Sequence, residues 1–281
     1  MKALENVTKY LNNYQKEQHF SGIVQIIYKG KIIYRKGFGY ANDKEKLPFT
    51  DKSKFRFYSL TKPFTAIAIM QLYEKGLISL NDHPSKYLKC AQNLDKRISI
   101  KSLLQHTSGL NEITPEERYL STEKFNLHKL VENLALEPLV FEPNTENMYA
   151  NTNFIILGLI VEQITGQKIA DYKRENIFNP LNMKSAFYET NDCQVENRVI
   201  GYDLVGEDRI PSAFLNVDLY YSAGAMVGDI NDITCLYQCI KDKKLLKEST
   251  WNLIFTPTPS NVGDFGLGCL VYNWQRSPPE R

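Results

Sequence analysis

Between Phe55 and Gly76 the sequence leaves almost no polar face: Leu60, Phe64, Ile67, Ala68, Met70, Leu72 and Tyr73 crowd it with apolar side chains. Such a segment predicts a helix buried on most of its sides. Any fold this chain adopts must wrap other elements around it. Pro63 suits the first turn, where a missing N–H breaks no intrahelical bond. Ser59 then stands at the helix N-terminus, and Lys62, three residues on, lies on the same face. A serine hydroxyl is a poor nucleophile until a neighbouring base takes its proton. A lysine serves as that base if burial lowers its pKa. The helix dipole and free N–H groups favour negative charge developing at Ser59.

An isolated S-x-x-K is a weak signal, and the chain holds a second copy at Ser121-Thr122-Glu123-Lys124. Burial separates the two. The first heads an apolar helix, whereas the second reads as the polar start of an amphipathic helix over 122–136. A similar placement recurs at Tyr149-Ala150-Asn151, just before the apolar run Phe154 to Val161. In an extended segment, side chains two residues apart share one face, so Tyr149 and Asn151 point the same way. Tyr10-Leu11-Asn12 and Tyr40-Ala41-Asn42 match the same pattern, but neither precedes an apolar helix.

Around these motifs the chain predicts a polar amphipathic helix over 3–18 and two strands, 22–28 and 31–34, joined at Lys29-Gly30. A polar connection over 42–54 follows. A short helix runs from Ser99 to Gln105, with Gly109 as its stop. Further helices are expected over 167–178, 229–241 and 248–256, with irregular chain or short strands over 185–218. A strand is expected over 266–274. Gly37-Phe38-Gly39 opens no helix and is no phosphate loop. His106 is read as tying a turn together, and His19, His83 and His128 show no ligand spacing.

Net charge is +2, with acids and bases interspersed, so no electrostatic footprint for nucleic acid is present. Five cysteines without a C-x-x-C pair suit a reducing compartment, and Cys235 and Cys239 read as buried small hydrophobes. No stretch approaches the ~20 apolar residues of a membrane span, and residues 1–7 lack the apolar core of a signal peptide. The expectation is a cytoplasmic protein if Met1 is the native start, and an exported one if the start lies upstream.

Taken in order, Ser59-x-x-Lys62, Leu103-Leu104-Gln105-His106-Thr107-Ser108-Gly109-Leu110, Tyr149-x-Asn151, Pro180-Leu181-Asn182-Met183 and Ala223-Gly224-Ala225-Met226 resemble the serine β-lactamase-related, penicillin-binding-protein-like superfamily. The tyrosine-type second motif is similar to the branch of class C β-lactamases, D-alanyl-D-alanine carboxypeptidases and esterases. The resemblance runs from about residue 20 to about 274.

It implies an α/β (α+β) fold, an antiparallel sheet flanked by helices and joined to a mostly helical region. The sheet part would take about 1–58 and 255–281, and the helical part about 59–254, in one domain. It implies that Ser59 is acylated, that Lys62 and Tyr149 share proton transfer, and that Asn151 binds Lys62 and the substrate amide. The backbone N–H of Ser59 would be one oxyanion donor. The substrates implied are small esters, D-amino-acid peptides or β-lactams, with no cofactor or metal. The family's third motif, Lys/His-x-Gly on a sheet strand, has no match after Tyr149. The expectation is a chain lacking its C-terminal strands, or one whose sheet another chain completes. The competing reading is a catalytically inactive relative that binds a ligand or partner. A Ser-His-Asp hydrolase is disfavoured, because G-x-S-x-G is absent.

Overall fold

The computed structural model describes residues 2–18, 20–112, 120–206, 208–259 and 262–271. Helix α1 (Lys2–Gln18) leads into strands β1 (Gly22–Tyr28) and β2 (Lys31–Phe38), which pair antiparallel. Lys29 and Gly30 both take positive φ, 48° and 78°, as the tight turn matching the right-handed strand twist requires. Successive strand residues face opposite sides, and the hairpin uses both. On one side Thr8 of α1 bonds the Tyr34 hydroxyl at 3.0 Å. On the other, Gln25 Nε2 donates to Thr234 Oγ1 and Arg35 Nη1 to Asn231 Oδ1, each at 2.8 Å. The polar connection over 42–54 turns back early, so that β4 (Leu47–Pro48) pairs with β3 (Tyr40–Asn42) in a small hairpin.

Strand β5 (Phe55–Arg56) enters a 3₁₀ turn, Tyr58–Leu60, that runs into α2 (Thr61–Glu74). Ten of its fourteen residues are buried, as the apolar stretch demands. Helices α3 (Ile100–Leu104), α4 (Leu127–Leu134), α5 (Asn151–Thr165) and α6 (Ile169–Lys173) follow, the last continuing as a π turn, Arg174–Phe178. Strands β6 (Phe187–Tyr188), β7 (Tyr202–Val205) and β8 (Asp208–Pro211) precede α7 (Val217–Gly224). Strand β9 (Met226–Gly228) and helices α8 (Ile230–Lys241) and α9 (Glu248–Ile254) follow. The core lies where α2 meets α5 and α7, all three packed on one another. Gly158 makes that approach possible: a Cβ there would sit 2.1 Å from Ser222 Oγ. Strand β9 lies between β5 and β6, antiparallel to both. Antiparallel strands flanked by helices, beside a mostly helical region, make this the mixed architecture that the motifs imply.

Several expected boundaries move, each for a tertiary reason. Helix α4 begins at Leu127, capped by Asn126, rather than at 122. Asn216 Nδ2 draws the carbonyls of Ser121 and Glu123 to 2.8 and 3.0 Å, holding that segment off the helix. The residue that ends α3 is His106, at φ 57°, not Gly109. Gly109 is needed for space, since a Cβ there would lie 2.1 Å from the Phe141 carbonyl oxygen. Helix α7 was not expected, and a kink at Tyr221 (φ 37°, ψ −128°) interrupts its period. Residues 266–271 form a turn around Gly268 (φ 87°), with one bridge between Phe265 and Leu270, rather than a strand. Leu267 is buried there, and the Gly268 N–H reaches the Leu104 carbonyl at 3.0 Å. Positions 272–274 of the expected strand, and His19, lie outside the described residues.

Candidate active site

Ser59 stands in the 3₁₀ turn behind Tyr58, whose φ of 43° is rare for an aromatic residue. Neighbours hold that strained turn. The Tyr58 ring meets Tyr220 edge-on at 5.8 Å, and the Phe57 N–H donates to the Met226 carbonyl at 2.8 Å. One turn on, Lys62 is 3% exposed. Its Nζ donates to Asn151 Oδ1 at 2.8 Å, to the Ala223 carbonyl at 3.1 Å and to Ser59 Oγ at 3.3 Å. The Tyr149 hydroxyl hydrogen-bonds Ser59 Oγ from the other side. Lys62 and Tyr149 therefore meet at the Ser59 oxygen, and Asn151 joins them through Lys62.

Local backbone explains how Tyr149 and Asn151 reach the same place. Ala150 between them is extended and fully buried, and Asn151 opens α5. The Tyr149 ring lies 4.6 Å from Lys62 Nζ on one face and 4.6 Å from the His106 ring, in a stacked pair. His106 is buried, and its Nδ1 accepts the Ala150 N–H at 3.2 Å. An acceptor nitrogen carries no proton, so the neutral imidazole holds its proton on Nε2. Burial, and then the Lys62 charge, push its pKa down to about 3. His106 thus ties a turn together, as expected, and also supports the tyrosine ring.

Burial dominates the electrostatics. It lowers the Lys62 pKa to about 7, against the opposing pull of Glu112. It also raises the Tyr149 phenol, which the Ser59 hydrogen bond partly offsets. A lysine near neutrality beside a serine hydroxyl has the poise of a general base.

Two contributors were not anticipated. Glu112 Oε2 accepts the Asn151 N–H at 2.8 Å and lies close enough to bias both Lys62 and Tyr149. No motif marks it. The Ala223 carbonyl, in the Ala223-Gly224-Ala225-Met226 segment, contributes through its backbone, which no side-chain pattern marks. The second S-x-x-K copy stays apart: the Ser121 hydroxyl accepts the Glu123 N–H at 3.1 Å in non-helical chain. Cys239 is buried and Cys235 half-buried, both as free thiols raised in pKa by burial. Among the described residues, no group of His, Cys, Asp or Glu is placed to hold a metal ion. No helix of the described chain is long and apolar enough to cross a membrane.

The family model described as Beta-lactamase matches residues 7–279. The chain belongs to the beta-lactamase family. That family is one of serine hydrolases, and curated relatives of this chain are named as penicillin-binding proteins. A Bacillus subtilis (strain 168) protein named as a penicillin-binding protein, PbpX, is 30% identical over 269 residues, covering 93% of this chain and 64% of the relative. EstCE1, described as a hydrolase with promiscuous acyltransferase activity, has a similar structure, with a TM-score of 0.81 and 23% identity over 96% of this chain and 84% of that one. The D-amino acid amidase of Ochrobactrum anthropi SV3 gives a TM-score of 0.80 with 23% identity, over 95% of this chain and 80% of that one. The chain spans 64%, 61% and 52% of three curated relatives, less than two thirds of each.

Proposed function

We propose that this member of the family is a serine acyl-hydrolase that forms an acyl-enzyme at Ser59. The observation that carries the reading is the convergence of a buried lysine and a phenol on one serine oxygen. Attack of Ser59 Oγ on the acyl carbon forms the new C–O bond. The hydroxyl proton passes to the Lys62–Tyr149 pair, in which Lys62 is half unprotonated near pH 7. Collapse of the tetrahedral adduct breaks the bond to the leaving group, which takes a proton from the Tyr149 hydroxyl. Water then attacks the ester, delivers its proton to the same pair, and frees the acid and Ser59. Asn151 holds Lys62 in reach, and a contact between its side chain and a substrate amide is part of the proposal. The Ser59 backbone N–H is proposed as one oxyanion donor.

Small esters, D-amino-acid peptides and β-lactams are the proposed substrate classes. The name of the amidase with a similar structure supports the second of these. The test is intact-mass spectrometry after exposure to a fluorophosphonate and, separately, a penicillin. A stoichiometric gain is expected with the fluorophosphonate. It should vanish in Ser59→Ala and persist in Ser121→Ala, and equal loss in both variants would sink the assignment.

A further inference from the structure

A cavity of about 350 Å³ opens beside the nucleophile turn. Phe55, Tyr58, Ile200 and Leu215 wall it, and Arg56 and Arg198 are the only charged residues that line it among those described. Behind them lies Glu189, 3% exposed. It accepts from Arg56 Nε at 2.6 Å and Nη2 at 3.1 Å, and pairs with Arg198 Nη1 at 2.6 Å. Two guanidinium groups share one carboxylate, so the cluster keeps one net positive charge.

The two arginines are not equivalent. Arg56 presents its whole edge to Glu189, and its side chain is 15% exposed. Arg198 commits one nitrogen, its side chain is 36% exposed, and its Nε and Nη2 have no hydrogen-bond partner among the described residues. The segment that carries it is fixed from both sides. Lys54 N–H donates to the Asn197 carbonyl, Val199 N–H to the Lys54 carbonyl and Ile200 N–H to the Ala41 carbonyl, each at 2.9 Å. Tyr58, which walls the cavity, is bonded in the chain to Ser59.

A guanidinium pairs with a carboxylate through two parallel N–H donors. One negative charge neutralises the cluster, and the apolar walls suit a short hydrocarbon stem. We infer that this cavity is a subsite for the acyl substrate, holding a terminal carboxylate on a short apolar stem against Arg198. The inference rests on the hydrolase reading above. Arg56 keeps Glu189 neutralised, so Arg198 is available to the ligand.

The test compares two p-nitrophenyl esters, the glutarate monoester and its primary-amide counterpart, which differ only in the terminal group. With the parent protein, kcat/KM for the carboxylate ester should exceed that for the amide by about tenfold, the reach of one charge-assisted hydrogen-bonded pair. The difference should lie in KM and shrink as salt is added. R198A should bring the ratio to about one, R198K should restore part of it, and Ser121→Ala should keep it. A parent without the preference, or an R198A protein that retains it, overturns the subsite. If the parent takes no fluorophosphonate label, the hydrolase reading falls and the subsite with it. A labelled parent that lacks the preference overturns the subsite alone.

Discussion

As an ammonium, Lys62 has three N–H donors, and the site offers it three acceptors, Ser59 Oγ, Asn151 Oδ1 and the Ala223 carbonyl. The protonated form is hydrogen-bonded but poorly solvated, and burial holds its pKa to about 7. Loss of a proton leaves a lone pair that can face Ser59. The rate of Ser59 labelling by a fluorophosphonate should therefore rise about tenfold per pH unit below pH 7 and flatten above it. A profile flat from pH 5 to 9 would remove Lys62 from the role of base. Three groups bear on that pKa. His106 is neutral, Tyr149 stays protonated, and Glu112 alone pulls it upward. Glu112→Gln should consequently move the inflection to lower pH, and an inflection at the same pH in that variant would contradict the assignment. Ser59, Lys62, Tyr149 and Asn151 were legible in the sequence because each sits at the start of a helix too apolar to be exposed. Glu112 was not, because a carboxylate in a loop has no periodicity and its partner amide is 39 residues away.

The elements that bring the site together are α2, α5 and α7, and the tightest of their contacts is at Gly158. A methyl group there would overlap Ser222 Oγ, which now donates to the Phe154 carbonyl at 2.7 Å. Ser222 precedes Ala223, whose carbonyl holds Lys62. Gly158→Ala should therefore do two things at once. Forcing the helices apart costs about 1–3 kcal/mol, typical of an overpacked core, visible as a lower urea midpoint. It should also draw the Ala223 carbonyl from Lys62 and slow Ser59 labelling. Lower stability with an unchanged labelling rate would show that the close approach serves packing alone. The helices of this core were readable from apolar runs, and β1 and β2 from the hairpin signal at Lys29-Gly30. Helix α7 was not, because Tyr221 breaks its geometry midway and leaves no continuous 3.6-residue period. Strand β9 is three residues long and pairs with strands about 40 and 170 positions distant. Such pairing leaves little trace in any local window.

For the whole molecule, the buried lysines add their own slope to the response of stability to pH. Lys62 titrates near 7 when folded and near its ordinary 10.5 when unfolded. Between those values the unfolded chain holds the extra proton, so stability rises with pH across that window. Below pH 7 both states are protonated, and the cost of burying the charge is full and constant. Lys173 adds a slope of the same sign: it is fully buried, its pKa is lowered by burial, and its Nζ donates to Thr65 Oγ1 and the Tyr188 hydroxyl at 2.6 Å each. A single pH titration of the parent cannot separate the two. Comparison with Lys62→Met can, because Lys173 is common to both proteins and cancels in the difference. Urea unfolding at pH 7 and pH 9 should show the parent gaining up to about 2 kcal/mol more than Lys62→Met over that interval, the linkage expected of one group moved across it. Met leaves the Asn151 and Ala223 acceptors without their donor, which lowers stability by an amount that does not vary with pH. The slope is therefore the quantity to read, not the midpoint at either pH. Parallel curves for the two proteins would mean that Lys62 is charged at neutrality, and Ser59 would then need another base.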